Sequence, residues 1–532
     1  MPLFSIFRLL ALSVFFALTC QGGPARAGDA AETVAVDASR TIRPTSRELL
    51  GINVNYLLDA DANRRPGAKP LARAILDLGV GTLRYPGGEK ADGMLWSRPP
   101  FRKPEPTLAR LGPDEWPSND ARVFDLGRQR FVHRPLDLDA FIRLCRRTGA
   151  EPVIVVAYDS MYKPGTPGET VPDLARLLEN AVSLVRYANI ERRFRIKYWE
   201  IGNESYYYVY NGGARAADYA RDFVTFAAAM KGVDPSIKVG AGGPAGTDDV
   251  GALDNLQGDA TPWWREVFGK AAGSIDFVSV HEYPCYEWYG YDYYRQNPVR
   301  MQAVDAIDAA ARRYGPPGLD KRLRYLITET NSADWYAHPQ NLGWKHVNTL
   351  GHGLVLFDML GQAVSDPRVV TVQIWATRWL QNDVQPELWD ALDRKNEPLA
   401  TGMAVKLLAQ GLGDRIVAAT DAPGVRVVAA CDDRKGRLTV YLLNKDAART
   451  VEVRVAGAKA GGAASRQVWS GTGPDDTRPR LAAEPDVALR DGRASLALPA
   501  QSLTILRLPV VAKGQPALAG KSAPRGKPRR LG

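Results

Sequence analysis

The sequence predicts an α/β protein, a (β/α)8 TIM barrel followed by a C-terminal antiparallel β-sandwich. Three observations predict it. Short apolar, β-branched runs alternate with longer amphipathic stretches from about residue 50 to about residue 380. After "EPLATGMAVKLLAQGLG" the pattern changes to short alternating strands separated by turn residues. The chain has 532 residues, too many for one ordinary domain, and its 45% hydrophobic and 24% charged composition can bury a sizeable core, which excludes a disordered protein.

Residues 1–27 read as a signal peptide, with Arg8 inside an apolar leader and Ala25-Arg26-Ala27 as a small-x-small cleavage site. Export to the periplasm or the extracellular space follows as the expectation, with cleavage after Ala27. Cys20 follows Ala17-Leu18-Thr19, a poor lipobox, so a lipid anchor is not the reading. No later segment has the ~20 apolar residues that would span a bilayer, so no integral membrane segment is expected after cleavage. Residues 28–48 form an N-terminal segment, and "ETVAVDAS" (32–39) within it is placed as an added strand of the sandwich.

The barrel is assigned to residues 49–411. Its strands are "LLGINVNYLL", "GTLRYPGG", "EPVIVVAYD", "KYWEIGNE", "IKVGAGGP", "DFVSVHEYP", "RYLITETNS" and "VVTVQIWAT". Helical patterns such as "PLARAILDLG", "LDAFIRLCRRTG", "VPDLARLLENAVSLVRYA" and "ADYARDFVTFAAAMKGV" lie between them. The long Pro-rich insertion 97–130 follows the second strand, and a loop of that length is functional or disordered as a rule. The sandwich takes residues 412–509, with "RIVAAT", "VRVVAACDD", "LTVYLLNK", "RTVEVRVAG", "RQVWSG" and "SLTILRLPV" as strands. Residues 510–532 form a flexible basic tail.

Charge excludes a nucleic-acid partner once it is located. The formal +10 becomes +8 without Arg8 and Arg26, and six further basic residues sit in the acid-free tail, leaving +2 on the folded body. Cys145, Cys285 and Cys431 remain after cleavage, none in a metal-like or C-x-x-C spacing, so at most one disulfide is possible. The sequence carries no signal for an oligomeric state.

In such barrels catalytic groups come from the carboxyl ends of the strands, so those ends are where to look. The fourth run stops at Asn203-Glu204, the seventh at Glu329-Thr330-Asn331 and the sixth at His281-Glu282-Tyr283. Arg84 lies near the end of the second run and Trp375 near the end of the eighth, and both, with Tyr206, are assigned to substrate binding. Two glutamates across a barrel mouth suit glycoside hydrolysis, one protonating the leaving oxygen and the other attacking the anomeric carbon. Arg84 and Tyr283 are the neighbours that keep a nucleophilic Glu ionised. Tyr206, Tyr207 and Tyr208 give the acid a less polar setting, and Asn203 is placed to donate to a sugar 2-hydroxyl. Glu200 is read as a polar group inside the barrel, paired to a neighbouring strand, and Glu282 as structural. "GAGGP" (240–244) is explained by small residues at a strand end rather than phosphate binding. His281 has no second ligand at metal spacing, and His338, His346 and His352 are scattered, so neither metal nor cofactor is expected. Tyr286, Trp288, Tyr289, Tyr291, Tyr293 and Tyr294 crowd one loop and are assigned to the substrate cleft or its rim.

These motifs carry a family resemblance. The Asn-Glu pair ending the fourth strand and the Glu ending the seventh resemble the retaining glycosidases of clan A. "LRYPGG" (83–88) and "WEIGNE" (199–204) resemble most the family 51 alpha-L-arabinofuranosidases, which are related to families 39 and 79. The resemblance implies a saccharide substrate and a trailing sandwich that wraps back onto the barrel. It assigns Glu204 as acid/base and Glu329 as nucleophile, with Arg84, Asn203, His281 and Tyr283 framing the sugar and the nucleophile. Thr330, the loop 284–297 and the insertion 97–130 depart from the family pattern. A xylosidase- or glucuronidase-like enzyme acting on a bacterial exopolysaccharide, and a non-catalytic carbohydrate-binding barrel, stay open as alternatives.

Overall fold

The computed structural model describes residues 32–512, apart from 113–114, 163–170, 207–213, 246–262, 285–289, 298, 333–347, 381–386 and 461. Residues 510–512, read as tail, continue the strand Ser502–Ala512. The signal-peptide reading of residues 1–27 with Cys20, and residues 513–532 of the basic tail, lie outside the described residues. So do Tyr207, Tyr208, Cys285, Tyr286, Trp288, Tyr289, His338 and His346.

Eight strands close a barrel, each hydrogen-bonded in parallel to its two neighbours. They are β1 (Leu50–Asn53), β2 (Thr82–Tyr85), β3 (Glu151–Val156), β4 (Tyr198–Ile201), β5 (Lys238–Gly243), β6 (Phe277–His281), β7 (Tyr325–Thr330) and β8 (Val369–Ile374). Every run expected as a barrel strand supplies one. The strands are buried almost without alternation, because side chains fill the interior on one face and helices cover the other. Those helices are α1 (Leu71–Leu78), α2 (Leu138–Thr148), α3 (Leu174–Val185), α4 (Ala216–Val233), α5 (Trp263–Ala271), α6 (Ala303–Tyr314), α7 (Leu350–Ser365) and α8 (Ala400–Ala409). Local chemistry sets their ends. The α2 N-cap, Asp137, accepts from the Ala140 N–H, and Gly149 ends the helix in a left-handed conformation at φ 65°.

Close approach explains "GAGGP". A Cβ on Gly240 would lie 2.0 Å from the Phe277 ring, and one on Gly243 would lie 2.4 Å from Trp264. Only glycine lets β5 sit this near those aromatics.

Ten further strands form a sheet folded over its own core, which includes Val34, Val36, Leu438, Val440, Val453 and Leu496. The N-terminal strand Glu32–Pro44 lies within it, antiparallel to Arg415–Ala419 and parallel to Arg449–Ala456. Arg480–Leu489 and Arg493–Leu498 also belong to the sheet, although neither stood out in the sequence. Arg480–Leu489 is largely exposed and interrupted by Pro485, so it shows no clear alternation. The sandwich docks on α7 and α8: Tyr441 donates to the Leu407 carbonyl at 2.6 Å, and Trp469 packs where a Cβ on Gly353 would otherwise sit.

Two expectations change here. The insertion is structured over its described residues, with two small hairpins pairing Met94–Leu95 with Thr107–Leu108 and Phe124–Asp125 with Arg130–Phe131. Tyr291 and Tyr294, assigned above to the substrate cleft, are buried instead. Tyr294 donates to Asp358 at 2.8 Å, and the Lys445 ammonium of the sandwich covers its ring at 4.5 Å. Tyr293 is 45% exposed. Cys145 and Cys431 are buried free thiols. Among the described residues, no helix is long and apolar enough to cross a membrane.

Candidate active site

Arg84 organises the barrel mouth. It projects from β2, is fully buried, and carries a charge that is always present. Its Nε and Nη2 donate to the two Glu200 oxygens at 2.8 and 3.1 Å. Its Nη1 donates to Glu329 Oε1 at 2.6 Å and Asn53 Oδ1 at 3.0 Å, and Nη2 also donates to Asn203 Oδ1 at 2.9 Å. A guanidinium has five N–H donors, and these five contacts use them. All five donors point at protein groups, with Arg84 beside Glu329 as the cationic neighbour read for it. Arg84 holds the groups that do face the mouth.

Glu200 takes the role read for it. Besides the bidentate Arg84 pair it accepts from the Ser279 hydroxyl, so it is tied to β2 and β6 within the barrel interior. Glu204 lies beyond the end of β4. The chain leaves the strand through Gly202 at φ 72° and reaches Glu204 at φ 53°, an uncommon backbone for a residue with a side chain. Such strain persists where surrounding contacts over-determine it, often at functional sites. Here the Asn203 N–H donates to Asp159 Oδ2 at 3.0 Å, and Ser205 fills the space that a Gly202 Cβ would need.

His281 joins the two sides. Its Nδ1 lies 2.8 Å from Glu204 Oε1 and 3.4 Å from Glu329 Oε2. A proton on Nδ1 is the arrangement that serves both carboxylates, an assignment made from the hydrogen-bond network. Burial pushes the imidazole pKa down to about 4, so the ring is neutral near pH 7. The Tyr283 hydroxyl donates to Glu329 Oε2 at 3.0 Å. One oxygen of Glu204, one of Glu329 and a nitrogen of His281 all lie within 4.8 Å of one another. Spacing along the chain had argued against such a convergence, since the three residues come from β4, β6 and β7. The trio offers three metal-type ligand atoms. Arg84 already occupies one Glu329 oxygen with positive charge, which makes this a poor cation cradle and a good place to handle protons.

The two glutamates differ electrostatically. Glu204 keeps 21% of its side-chain surface open, yet burial, and next the Glu89 charge, raise its pKa to about 8. Burial also raises the Glu329 pKa, but His281, Arg84 and the Tyr283 hydroxyl all pull against it. Asn203 gives its oxygen to Arg84, leaving the amide N–H groups as the half available to a ligand. Trp375 follows β8, with its ring where a Gly88 Cβ would sit. Tyr206 follows Glu204 and Ser205. It is 4% exposed and packs edge-on against Trp263 at 6.1 Å. Glu282 accepts from the Gln302 and Ala303 N–H groups at the start of α6, which is a structural role.

Sequence reasoning missed Asn53 and Asp159, although both sit at or just past strand ends and the same search would have found them. It also missed Lys90, Trp116 and Trp379, which lie in connections where no strand-end pattern points to them.

Comparison with known proteins agrees with the fold. The family described as "Alpha-L-arabinofuranosidase 1 domain" matches residues 74–301, which hold Arg84, Asn203, Glu204, His281 and Tyr283. An exo-alpha-(1->6)-L-arabinofuranosidase of Bifidobacterium longum is 26% identical over 275 residues, 47% of this chain and 46% of that protein. An intracellular exo-alpha-(1->5)-L-arabinofuranosidase of Acetivibrio thermocellus is 25% identical over 267 residues, 47% of each chain. The chain thus spans about half the length of the curated relatives it matches. A crystal structure of alpha-L-arabinofuranosidase from Thermotoga maritima, in complex with arabinose, superposes with a TM-score of 0.66 at 19% identity, covering 90% of this chain and 99% of that one. The family match, the relatives and the fold together make the chain similar to the clan A glycoside hydrolases. Within that clan the chain resembles the family 51 alpha-L-arabinofuranosidases.

Proposed function

We propose that the chain is a retaining glycoside hydrolase of alpha-L-arabinofuranosidase type. The observation that carries this reading is the Glu204–Glu329 pair, with an oxygen of each inside a 4.8 Å cluster centred on His281. Retaining enzymes hold their carboxyl groups about 5–5.5 Å apart, whereas inverting ones leave about 6.5–9.5 Å for a water. Glu204, whose pKa burial raises to about 8, protonates the glycosidic oxygen as Glu329, held by Arg84 and Tyr283, attacks the anomeric carbon. The bond to the leaving oxygen breaks and a glycosyl ester forms on Glu329. Esterification removes the Glu329 charge, which lowers the cost of ionising Glu204. Glu204 then deprotonates the water that attacks the same carbon and frees Glu329. Asn203 donates to the sugar 2-hydroxyl, and His281 and Tyr283 steady the Glu329 carboxylate as its charge changes.

The test is a panel of aryl glycosides of arabinofuranose, xylose, glucuronate and galactose, with the first-formed anomer followed by NMR. Net retention on the arabinofuranoside is expected; inversion removes the nucleophile assignment. The pH profile provides a second check. Glu204 must be protonated in the free enzyme, so kcat/KM is expected to fall as pH rises through about 8. In Glu204→Gln this alkaline limb should disappear, along with about 10²–10⁴-fold of activity on poor leaving groups. An unchanged limb would assign that titration to another group. The reading includes export, with Gly28 as the mature N-terminus, and Edman sequencing of protein recovered outside the cytoplasm decides it.

A further inference from the structure

Lys90 is a buried basic residue beside the site that the mechanism leaves unused. It follows "LRYPGG" in the short helical turn Glu89–Ala91 and is fully buried. Its Nζ has no hydrogen-bond partner among the described residues. The ammonium rests 4.4 Å from the centroid of the Trp375 ring and 4.8 Å from that of Trp379. Cation–π contact offsets part of the cost of burying an ammonium, but it accepts none of the three N–H bonds. The position is close to the chemistry. Trp375 directly follows β8 and packs on Gly88, and Glu329 is the carboxylate that most favours the charged form of Lys90. Trp379 continues outward to Trp116 of the insertion, the ring centroids 5.7 Å apart, and both rings are partly exposed. An aromatic wall therefore runs from Lys90 toward the rim of the barrel.

We infer that Lys90 is a specificity residue for acidic saccharides, donating to a uronate carboxylate of the bound chain while Trp379 and Trp116 flank its rings. The inference rests on the hydrolase reading and narrows its substrate class. A neutral hydroxyl would also accept from Lys90, but it would leave the buried positive charge unneutralised, whereas a carboxylate answers both needs. Burial pulls the Lys90 pKa down to about 7; Glu329, Asp59 and Glu89 favour its charge and Arg84 opposes it. An arriving carboxylate adds to the favourable side, so acidic ligands should bind better at pH 6 than at pH 8.

The test is titration calorimetry at pH 6 with tri-galacturonic acid and tri-glucuronic acid, each against its own methyl ester, which keeps the skeleton and removes the charge. At least one acid is expected to bind wild-type protein tenfold or more tighter than its ester, and Lys90→Met to abolish that preference while still binding the ester. Equal binding of acid and ester by the wild type overturns the inference without recourse to any variant. So does an acid preference that survives in Lys90→Met. If acids bind preferentially but no glycoside of the panel is turned over, the hydrolase reading fails and the Lys90 site stands. If an arabinofuranoside is hydrolysed and the esters bind as well as the acids, the reverse holds.

Discussion

Glu329→Ala is expected to lower kcat/KM by at least about 10⁴-fold, even on nitrophenyl glycosides with good leaving groups. That corresponds to roughly 5.4 kcal/mol at 1.36 kcal/mol per tenfold. The leaving group decides how this loss differs from that of Glu204. A nitrophenolate departs with little help, so removing the acid costs little in the first step, whereas no leaving group replaces the nucleophile. Glu329→Gln gives the same result with the side-chain volume kept, which separates a chemical loss from a packing one. Substrate binding should survive in both variants, because Asn203 and Trp375 are untouched. Retention of more than a few per cent of wild-type kcat in Glu329→Gln would move the nucleophile elsewhere. Glu200 is a poor substitute, since both its oxygens are held by Arg84 and one also by Ser279.

The barrel was legible in the sequence because each strand announces itself twice, by a β-branched apolar run and by the helix pattern after it. The strand-end rule then reached Arg84, Asn203, Glu204, His281, Tyr283, Glu329 and Trp375 with no knowledge of distances. Convergence was not legible. Glu204, His281 and Glu329 are 48 to 125 residues apart along the chain, and only barrel closure brings their polar atoms within 4.8 Å. Side-chain direction was lost for a different reason. Tyr206 lies past a strand end, where no period of two or of 3.6 tells inside from outside, while Tyr291 and Tyr294 share one face of the six-residue helix Tyr291–Gln296, too short to show its period in the sequence; all three turn inward. Lys90 escaped notice because a lysine two residues past a glycine pair reads as a solvated loop residue. The Trp375 and Trp379 rings that bury it come from the far end of the barrel sequence.

Arg84→Met is the substitution expected to do most damage to the fold. Arg84 links β1, β2, β4 and β7 through Asn53, Glu200, Asn203 and Glu329, and it is the sole cation paired with either glutamate among the described residues. Methionine fills much of the volume but leaves two carboxylates facing each other across a dry interior. Breaking a buried pair in this way typically costs about 3–5 kcal/mol, and loss of activity should accompany it because Glu329 and Asn203 lose their anchor. The cause can be separated from simple misfolding. If uncompensated charge is the problem, Arg84→Met/Glu200→Gln should unfold at a higher urea concentration than Arg84→Met alone, although it carries one more substitution. Direct pH dependence follows from Glu329. Burial already raises its pKa, and losing Arg84 removes one of the groups that restrain it. A carboxyl whose folded pKa lies above its unfolded value has its full stability below the unfolded value and loses it as pH rises through the folded one. Arg84→Met should therefore sit closer to wild-type stability near pH 4 than near pH 8. A stability deficit that does not vary with pH, together with no recovery in the double variant, would mean that Arg84 acts through packing rather than charge.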